Sequence, residues 1–310
     1  VWIVFVYFYK LTHFACCKIL KLLFLRYYYK DTQPMKIKFL FFGFIALILF
    51  SCNSDETINQ NIEAKTLLNV SYGNNVQQKF DLYLPANRTQ NTKTLILVHG
   101  GGWTEGDKAD MNYAVDIVKQ YLPEYAIANI NYRLATTGNP AFPMQIDDIE
   151  SVITKLKTED YQISDNFGFI GVSAGAHLSM LYSYAYNSDI KVVCSIVGPT
   201  NFTDVNYTSN PFMVAMFQSA TGLVYSENIG FYQQISPFHR ATTNSQPTIL
   251  LYGNADPLIP TTQGQDMHAK LDQLGVYNEF YLYNGGHGDW AINDQIDAYN
   301  RMVNFIKNKF

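Results

Sequence analysis

The sequence predicts an α/β domain over residues 65–310, with a mainly parallel central sheet, helices on both faces and a cap insertion. Short apolar runs typical of buried strands alternate with amphipathic helical stretches along most of this region. Such strand–helix alternation places successive strands side by side in one parallel sheet. The periodicity is lost at about residues 200–246, and an irregular insertion of that length is typical of a functional segment, here a cap over a site.

In chain order, the domain opens with a predicted antiparallel pair of strands at residues 67–72 and 77–84, the second of which alternates apolar side chains on one face. Later strands are predicted at residues 94–98, 126–132, 167–171, 190–197, 247–252 and 280–283. Helices are predicted at residues 110–121, 144–157, 174–186, 261–274 and 294–310.

A serine stands in a tight turn between a predicted strand and a predicted helix. The pentapeptide G-V-S-A-G at residues 171–175 has the G-x-S-x-G form of a nucleophile elbow, which lifts the hydroxyl of Ser173 clear of a sheet. Glycines suit the flanking positions because a strained nucleophile brings its neighbours close to other backbone. The pentapeptide alone is a moderate signal, since Gly, Ser and Ala occur next to each other by chance in many loops.

Three consecutive glycines follow the strand at residues 94–98. The segment H-G-G-G-W at residues 99–103 can fold so that bare N–H groups point at a ligand. In enzymes with a nucleophile elbow, such a loop and the amide after the serine form an oxyanion hole, so Gly101, Gly102 and Ala174 are the candidate donors. The helix that begins at Ala174 adds the positive end of its dipole. A glycine-rich turn without a task is the alternative.

An acid and a histidine follow the last two predicted strands. Asp256 comes after the strand at residues 247–252, and His287 comes after the strand at residues 280–283. The chain order Ser173, Asp256, His287 is that of the triad in an α/β-hydrolase fold, and one helix and one strand separate the acid from the histidine. Order, spacing and local structure agree, so these three are the candidate catalytic residues.

Other histidines and acids fit these roles less well. His177 lies one turn after Ser173 and is interpreted as a packed helix residue, while His99 is expected to brace the glycine loop. The remaining candidates are His239 and His268, which follow no strand, Asp289, which is too near the candidate catalytic histidine, and Asp147 and Asp148, which we assign to the solvated face of a helix.

The charge distribution argues against a nucleic-acid partner. The formal net charge of the 310-residue chain is −4, but residues 1–51 hold seven of the 22 Lys and Arg and one of the 26 Asp and Glu. The rest of the chain therefore carries 15 basic and 25 acidic residues, and an acidic domain without a basic stripe does not suit a polyanion. No metal-ligand spacing occurs, and we expect no cofactor.

The first 51 residues are predicted to lie outside the fold. Residues 35–51 have a basic start and an apolar stretch of signal-peptide length, too short to span a bilayer. They end in L-F-S-C, which resembles a bacterial lipobox, with Cys52 as the lipidated residue and Phe50 in place of the usual small residue. We therefore expect an exported, membrane-anchored lipoprotein, periplasmic or on the cell surface, with residues 52–64 as a tether. A lipid-free secretory signal or an uncleaved anchor is the alternative.

Residues 1–34 are interpreted as upstream sequence read through before a start at Met35. A second membrane segment is the alternative, although basic residues interrupt each of its apolar stretches. Two of the four cysteines lie in this segment and Cys52 would carry lipid, so Cys194 alone remains and no intramolecular disulfide is expected. Cys194 is interpreted as a small core residue.

Several segments together resemble a known family. They are H-G-G-G-W at residues 99–103 with G-D-K at 106–108, N-Y-R-L at 131–134, F-P-M-Q-I-D-D at 142–148 and G-V-S-A-G-A-H at 171–177. The chain resembles the bacterial feruloyl/acetyl esterase-like (BD-FAE-like) branch of the α/β-hydrolases, related to the hormone-sensitive-lipase and carboxylesterase types, from about Asn69 to the C-terminus. The resemblance implies the same triad and oxyanion donors, and it makes residues 132–133 and 143–148 structural signatures near the site.

These observations lead to an expected function. We expect a serine esterase that forms an acyl-enzyme and removes acetyl or feruloyl groups from carbohydrate or other small esters. Trp103 and Trp290 are candidate stacking contacts for an aromatic acyl group or a sugar ring, with ordinary packing as the alternative. An arylformamidase- or peptidase-like amide hydrolase and a non-catalytic glycan-binding surface lipoprotein remain the alternative functions.

Overall fold

The computed structural model describes residues 62–186 and 189–310. The predicted read-through segment, the signal peptide, Cys52 and most of the tether therefore lie outside the described residues, and those interpretations stay predictions. Within the described part of the chain, no helix is both long and apolar enough to cross a membrane.

An eight-stranded sheet forms the centre of the domain. Its strands are β1 Lys65–Ser71, β2 Lys79–Leu84, β3 Thr94–Val98, β4 Ala126–Ile130, β5 Phe167–Val172, β6 Ile190–Ile196, β7 Thr248–Gly253 and β8 Asn278–Tyr283. Their spatial order is β1-β2-β4-β3-β5-β6-β7-β8. β2 runs antiparallel to both β1 and β4, and every other neighbouring pair is parallel. The predicted opening pair and the mainly parallel sheet are confirmed.

Helices cover both faces of this sheet. They are α1 Asn112–Tyr121, α2 Met144–Thr158, α3 Ala174–Ala185, α4 Val205–Thr208, α5 Pro211–Thr221, α6 Ile229–Gln234, α7 Pro237–Arg240, α8 Thr262–Gln273 and α9 Ile292–Lys309. In β3, Ile96 and Val98 pack with α2 and α3, whereas Leu95 and Leu97 pack with α1 and α9. Successive side chains of a strand point to opposite faces, so a strand buried on both faces is apolar throughout. The predicted α/β fold class is thus confirmed.

The insertion between β6 and β7 contains helices that the sequence pattern did not predict. They are α4, α6 and α7, of four to six residues each, the 11-residue α5, and a 3₁₀ turn at Tyr225–Glu227. The side chains of Asp204 and Asn210 accept hydrogen bonds from amides of the first turns of α4 and α5 and so define where these helices begin. A four- or six-residue helix is too short to show a 3.6-residue period, which explains why the parts of the insertion that form α4, α6 and α7 read as irregular.

An aromatic cluster holds the insertion together and joins it to the main core. Phe217 of α5 lies with its ring centroid 4.7 Å from that of Phe202 and 4.8 Å from that of Tyr207. All three rings are buried and belong to the same apolar cluster as α2 and α3. Aromatic pairs at such separations add to the free energy gained by burying their area. The insertion, hereafter the cap, is therefore packed on the domain rather than loosely attached.

Asp148 does not lie on a solvated helix face, so that interpretation is wrong for one of the two neighbouring acids. Its side chain is fully buried and forms an ion pair with Arg133, whose Nη2 lies 2.6 Å from Oδ1. The Arg133 amide donates to Oδ2 at 2.7 Å and Gln78 Nε2 donates to Oδ1 at 2.8 Å. Asp147, one residue earlier, is exposed as expected. The buried network fixes the turn after β4.

Replacing Asp148 with Ala should lower the free energy of unfolding by about 3 kcal/mol, because it leaves the Arg133 guanidinium and two donors without their acceptor. Urea unfolding would measure the change. Asp147→Ala is the matched control and should lie within about 0.5 kcal/mol of the wild type. Equal effects of the two substitutions would contradict the assignment of this ion pair to the stability of the fold.

Candidate active site

Ser173 occupies a strained turn between β5 and α3. Its backbone has φ 52° and ψ −119°, a combination that residues with a Cβ rarely adopt. A Cβ added to Gly171 would lie 2.6 Å from the Cα of Ala176, and one added to Gly175 would collide with the carbonyl oxygens of Val98 and His99. The turn therefore needs glycine on both sides, as the sequence pattern predicts.

The structure brings the three candidate catalytic side chains together. His287 Nε2 lies 2.9 Å from Ser173 Oγ, and His287 Nδ1 lies 2.7 Å from Asp256 Oδ2. The Asp256 carboxylate is fully buried, and its Oδ1 accepts hydrogen bonds from the amides of Leu258 and Ile259. A carboxylate can only accept, so Nδ1 carries the proton and Nε2 is free to accept the serine proton.

Two neighbouring loops hold Asp256 and His287 at a fixed distance from each other. Asp256 follows β7 and His287 follows β8, which are adjacent parallel strands. The amide of Ala255 donates to the carbonyl of Gly285 at 2.9 Å, and Gly253 packs against the carbonyl of Gly286 so closely that no Cβ would fit. Contacts between backbone atoms fix distances more firmly than long side chains do, so the spacing between the two residues is set by the loops themselves.

The glycine loop passes directly over the serine. A Cβ on Gly100 would lie 3.3 Å from the Cβ of Ser173. Gly101 and Gly102 adopt φ values of 107° and 55°, which turn the peptide groups in a way that residues with side chains disfavour. Among the described residues, no acceptor takes a hydrogen bond from the amides of Gly101, Gly102 or Ala174. These amides can therefore donate to an oxygen bound beside Ser173.

Packing on the outer side of the glycine loop makes it rigid. The ring of His99 stacks on Tyr132 with centroids 4.2 Å apart, and its Nδ1 donates to the carbonyl of Gly100 at 2.7 Å. The Tyr132 hydroxyl donates to the carbonyl of His99 at 3.0 Å, and Gln145 Nε2 donates to that of Trp103 at 2.7 Å. Tyr132 and Gln145 act as structural residues near the site, as the family resemblance implies.

The two tryptophans predicted as substrate contacts are buried, which favours the alternative of ordinary packing. Trp103 is 2% exposed, and its Nε1 donates to His177 Nδ1 at 3.2 Å. Trp290 is 6% exposed, stacks on Tyr283 with centroids 4.6 Å apart, and donates to the carbonyl of Gly286 at 3.1 Å. The alternative, ordinary packing, describes both rings.

The other histidines lie outside the candidate triad. His268 lies in α8, as predicted, and His239 lies in the short helix α7 rather than in an irregular stretch. His177 is a buried helix residue, as predicted, and burial lowers its pKa to about 4. Its hydrogen bonds to Trp103 and to the carbonyl of Ile235 were not foreseen, because they depend on how the cap folds.

Met216 of α5 is a further residue at the site that sequence reasoning missed. Its Sδ would lie 3.2 Å from a Cβ placed on Gly102, so the thioether touches the glycine loop at a candidate oxyanion donor. Phe212, one helical turn earlier, is 63% exposed. No sequence signal singles out Met216, since methionine in a helix is ordinarily read as core. The cap thus supplies an apolar side chain to the edge of the site.

The BD-FAE family model matches residues 80–271, more than half of the chain. The chain is 25% identical over 242 residues to esterase LipC of Mycobacterium tuberculosis, covering 71% of this chain and 59% of that protein. It is 24% identical over 202 residues to esterase LipQ of the same organism, covering 60% and 47%. A kynurenine formamidase of Salmo salar is 29% identical over 119 residues, covering 38% of each chain. The chain thus spans about half the length of these relatives.

Solved structures show the same architecture. A truncated carbohydrate esterase from gut microbiota superimposes with a TM-score of 0.67 at 18% identity, covering 80% of this chain and 97% of that one. A bacterial heroin esterase gives a TM-score of 0.65 at 18% identity, covering 86% and 90%. At this level of identity the likeness establishes the α/β-hydrolase fold.

The buried, neutral His177 should make stability depend on pH. Unfolding exposes its imidazole, whose pKa returns from about 4 toward 6.5, so the unfolded chain binds more protons and stability falls as the pH is lowered between these values. The shift corresponds to about 3 kcal/mol across that window. Urea unfolding of the wild type and His177→Phe at about pH 4.5, 5.5 and 6.5 would measure it. Other titrating groups remain in both proteins, so the variant should lose less stability on acidification, and identical slopes would contradict the assignment.

Proposed function

The chain belongs to the BD-FAE family, and on that premise we propose that it is a serine hydrolase of carboxylic esters. Ser173 is its nucleophile, His287 its general base and Asp256 the orienting acid. The observation that carries this proposal is the unbroken series of hydrogen bonds from buried Asp256 through His287 to Ser173. Beside Ser173 lie backbone amides that donate to no acceptor among the described residues. The names of the two mycobacterial relatives support ester hydrolysis.

In the first half of the reaction, Nε2 of His287 takes the proton of Ser173 while Oγ attacks the ester carbonyl carbon. The carbonyl oxygen becomes negative and accepts hydrogen bonds from the amides of Gly101, Gly102 and Ala174, each worth about 3 kcal/mol in the transition state. Asp256 stabilises the imidazolium that forms and keeps its Nδ1 proton in place. These donors are preorganised because packing already holds the glycine loop.

The tetrahedral intermediate then collapses. His287 returns the proton to the leaving alkoxide, the alcohol departs, and the acyl group stays on Ser173 as an ester. Water enters, His287 removes its proton, and hydroxide adds to the acyl carbon with the same three amides on the oxygen. Collapse of the second intermediate releases the carboxylic acid and returns the proton to Ser173.

For the substrate, we place an acetyl or feruloyl group on a carbohydrate or another small alcohol. Met216 lies against Gly102, where the acyl carbonyl would bind, so its side chain would border the acyl group. Phe212 offers an exposed aromatic ring one turn away, which suits a planar or sugar-like group. The likeness to a structure named as a carbohydrate esterase supports an acylated carbohydrate.

A formamide is the second candidate substrate. The match to a kynurenine formamidase favours it, because Ser173 with the same base and oxyanion donors could attack a formyl carbon. A formyl group is the smallest acyl group and would need the least space beside Met216. The two candidates share Ser173 and differ in the bond that is cleaved, so one panel of substrates separates them.

We further propose that the domain acts outside the cytoplasm, tethered to a membrane by lipid on Cys52. The support is the basic and apolar stretch at residues 35–51 that ends in the lipobox-like L-F-S-C. A tether of polar residues after Cys52 would let the site reach esters at a distance from the bilayer.

Replacing Ser173 with Ala should lower kcat for a hydrolysed ester roughly a million-fold, because it removes the nucleophile. The assay uses p-nitrophenyl acetate and butyrate, methyl ferulate, acetylated xylo-oligosaccharide and N-formylkynurenine. Ser183→Ala, which removes a buried hydroxyl from the same helix, is the matched control and should keep wild-type rates. Equal rates in wild type and Ser173→Ala would contradict the proposal. Turnover of N-formylkynurenine alone would select the second candidate.

Replacing Met216 with Ala should raise the ratio of kcat/KM for butyrate over acetate by about tenfold, because it opens space beside Gly102 for further methylene groups. Val214→Ala is the control, since a residue two positions away points to the other side of α5. An unchanged ratio in Met216→Ala would mean that the acyl group does not bind on this side of the glycine loop.

Intact-mass measurement of membrane-extracted protein, expressed in a bacterium from Met35, tests the proposed anchor. We expect an N-terminus at a lipid-modified Cys52, since lipoprotein processing cleaves before the modified cysteine. Cys52→Ser should abolish both the modification and this cleavage. A free N-terminus at another residue, the same in both proteins, would disprove lipidation.

A further inference from the structure

His177 joins three parts of the molecule that meet around the candidate site. It lies in α3, and its amide donates to the carbonyl of Ser173 at 3.0 Å. Its Nδ1 lies 3.2 Å from Nε1 of Trp103, at the end of the glycine loop. Its Nε2 lies 2.7 Å from the carbonyl oxygen of Ile235, in the cap. One imidazole therefore links α3, which follows the nucleophile elbow and is called the elbow helix below, to the glycine loop and the cap.

Chemistry fixes the tautomer of this ring. A backbone carbonyl only accepts hydrogen bonds, so Nε2 of His177 carries the proton that is donated to Ile235. An indole N–H only donates, so Nδ1 is unprotonated and accepts from Trp103. The rings of Phe142 and Phe202 lie against the imidazole, with centroids 5.5 Å and 4.8 Å away. Both hydrogen bonds thus need the same neutral form of a fully buried ring.

Trp103 transmits the position of His177 to the oxyanion donors. It follows Gly102 directly, and its backbone has a φ of 66°, so only one peptide bond separates the residue that carries the indole from the glycines. The indole packs edge-on against Phe202 and Phe217 of the cap. If the indole moves, the amides of Gly101 and Gly102 move with it, and catalysis is sensitive to displacements of about 1 Å.

We propose that His177 is a positioning residue, which holds the glycine loop and the cap in register with the elbow helix through its two hydrogen bonds. This inference rests on the proposed function for its kinetic consequences. The hydrogen bond to Trp103 fixes the positions of the oxyanion donors, so its loss should lower kcat. The hydrogen bond to Ile235 fixes the position of the cap that borders the substrate, so its loss should raise KM.

Two substitutions break the bonds one at a time. In His177→Asn, the side-chain oxygen takes the place of Nδ1 and still accepts from Trp103, while the bond to Ile235 is lost. In His177→Gln, the side-chain amide takes the place of Nε2 and still donates to Ile235, while the acceptor for Trp103 is lost. His177→Phe keeps the ring and loses both bonds. Trp103→Phe removes the same loop bond from the other side.

Variants that lose the hydrogen bond to Trp103 should change kcat, and variants that lose the hydrogen bond to Ile235 should change KM. We expect His177→Gln and Trp103→Phe to lower kcat about 10- to 100-fold with KM within about threefold of the wild type. His177→Asn should keep kcat within about threefold and raise KM about tenfold, and His177→Phe should show both changes. Tyr184→Phe is the matched control: it removes a buried 2.6 Å hydrogen bond from the same helix, to Thr248, and should keep both constants.

Hydrogen exchange gives a readout that does not need turnover. The amides of Thr104 and Glu105 donate to the carbonyl of Gly101, so their exchange reports the order of the glycine loop. Both should exchange at least about tenfold faster in His177→Gln and Trp103→Phe than in Tyr184→Phe. Unchanged exchange, or His177→Gln and His177→Asn with the same kinetic constants, would overturn the inference. Wild-type protein without esterase or formamidase activity would overturn the proposed function instead, and exchange would still decide the role of His177.

Discussion

The backbone strain at Ser173 is the constraint on which the rest of the site depends. A positive φ at a serine is unfavourable and persists only where the surroundings enforce it. Here the Ser173 amide donates to the carbonyl of Ile196 at 2.8 Å, and Gly175 lies directly against the end of β3. Because β3 and β6 flank β5 in the sheet, the strained turn is held from both sides. The sheet thus stabilises a conformation that presents the hydroxyl at its edge.

The same sheet edge collects the other functional groups. The parallel strands β3, β5, β7 and β8 end on one side of the sheet and are followed by the glycine loop, Ser173, Asp256 and His287 respectively. Residues far apart in the chain therefore meet without long connections. Surrounding residues then hold these groups in place. Tyr132 and Gln145 donate hydrogen bonds to carbonyls of the glycine loop, and the cap packs against Trp103. Preorganisation of this kind lowers the cost of placing donors around a developing charge.

The sequence predicted functional residues best where a particular residue type directly follows a predicted strand. Ser173, Asp256 and His287 could be picked out because each follows an apolar run, and the glycines because no other residue fits their backbone. It was least informative where tertiary packing decides. Asp148 pairs with Arg133, which is distant in sequence, and three of the four cap helices are too short to show a period. The sequence does not show whether Trp103 and Trp290 face a substrate or the core, because only the folded chain shows what covers an aromatic ring.

Covalent labelling of the wild-type enzyme with diisopropyl fluorophosphate, followed by peptide mass spectrometry, tests most directly whether Ser173 is the activated nucleophile. We predict one label per chain on Ser173, loss of ester hydrolysis in proportion to labelling, and much slower labelling in His287→Gln, where the base is absent. A label on another residue that accompanies the loss of activity would contradict the assignment of Ser173 as the nucleophile. So would full activity in protein whose Ser173 is completely labelled.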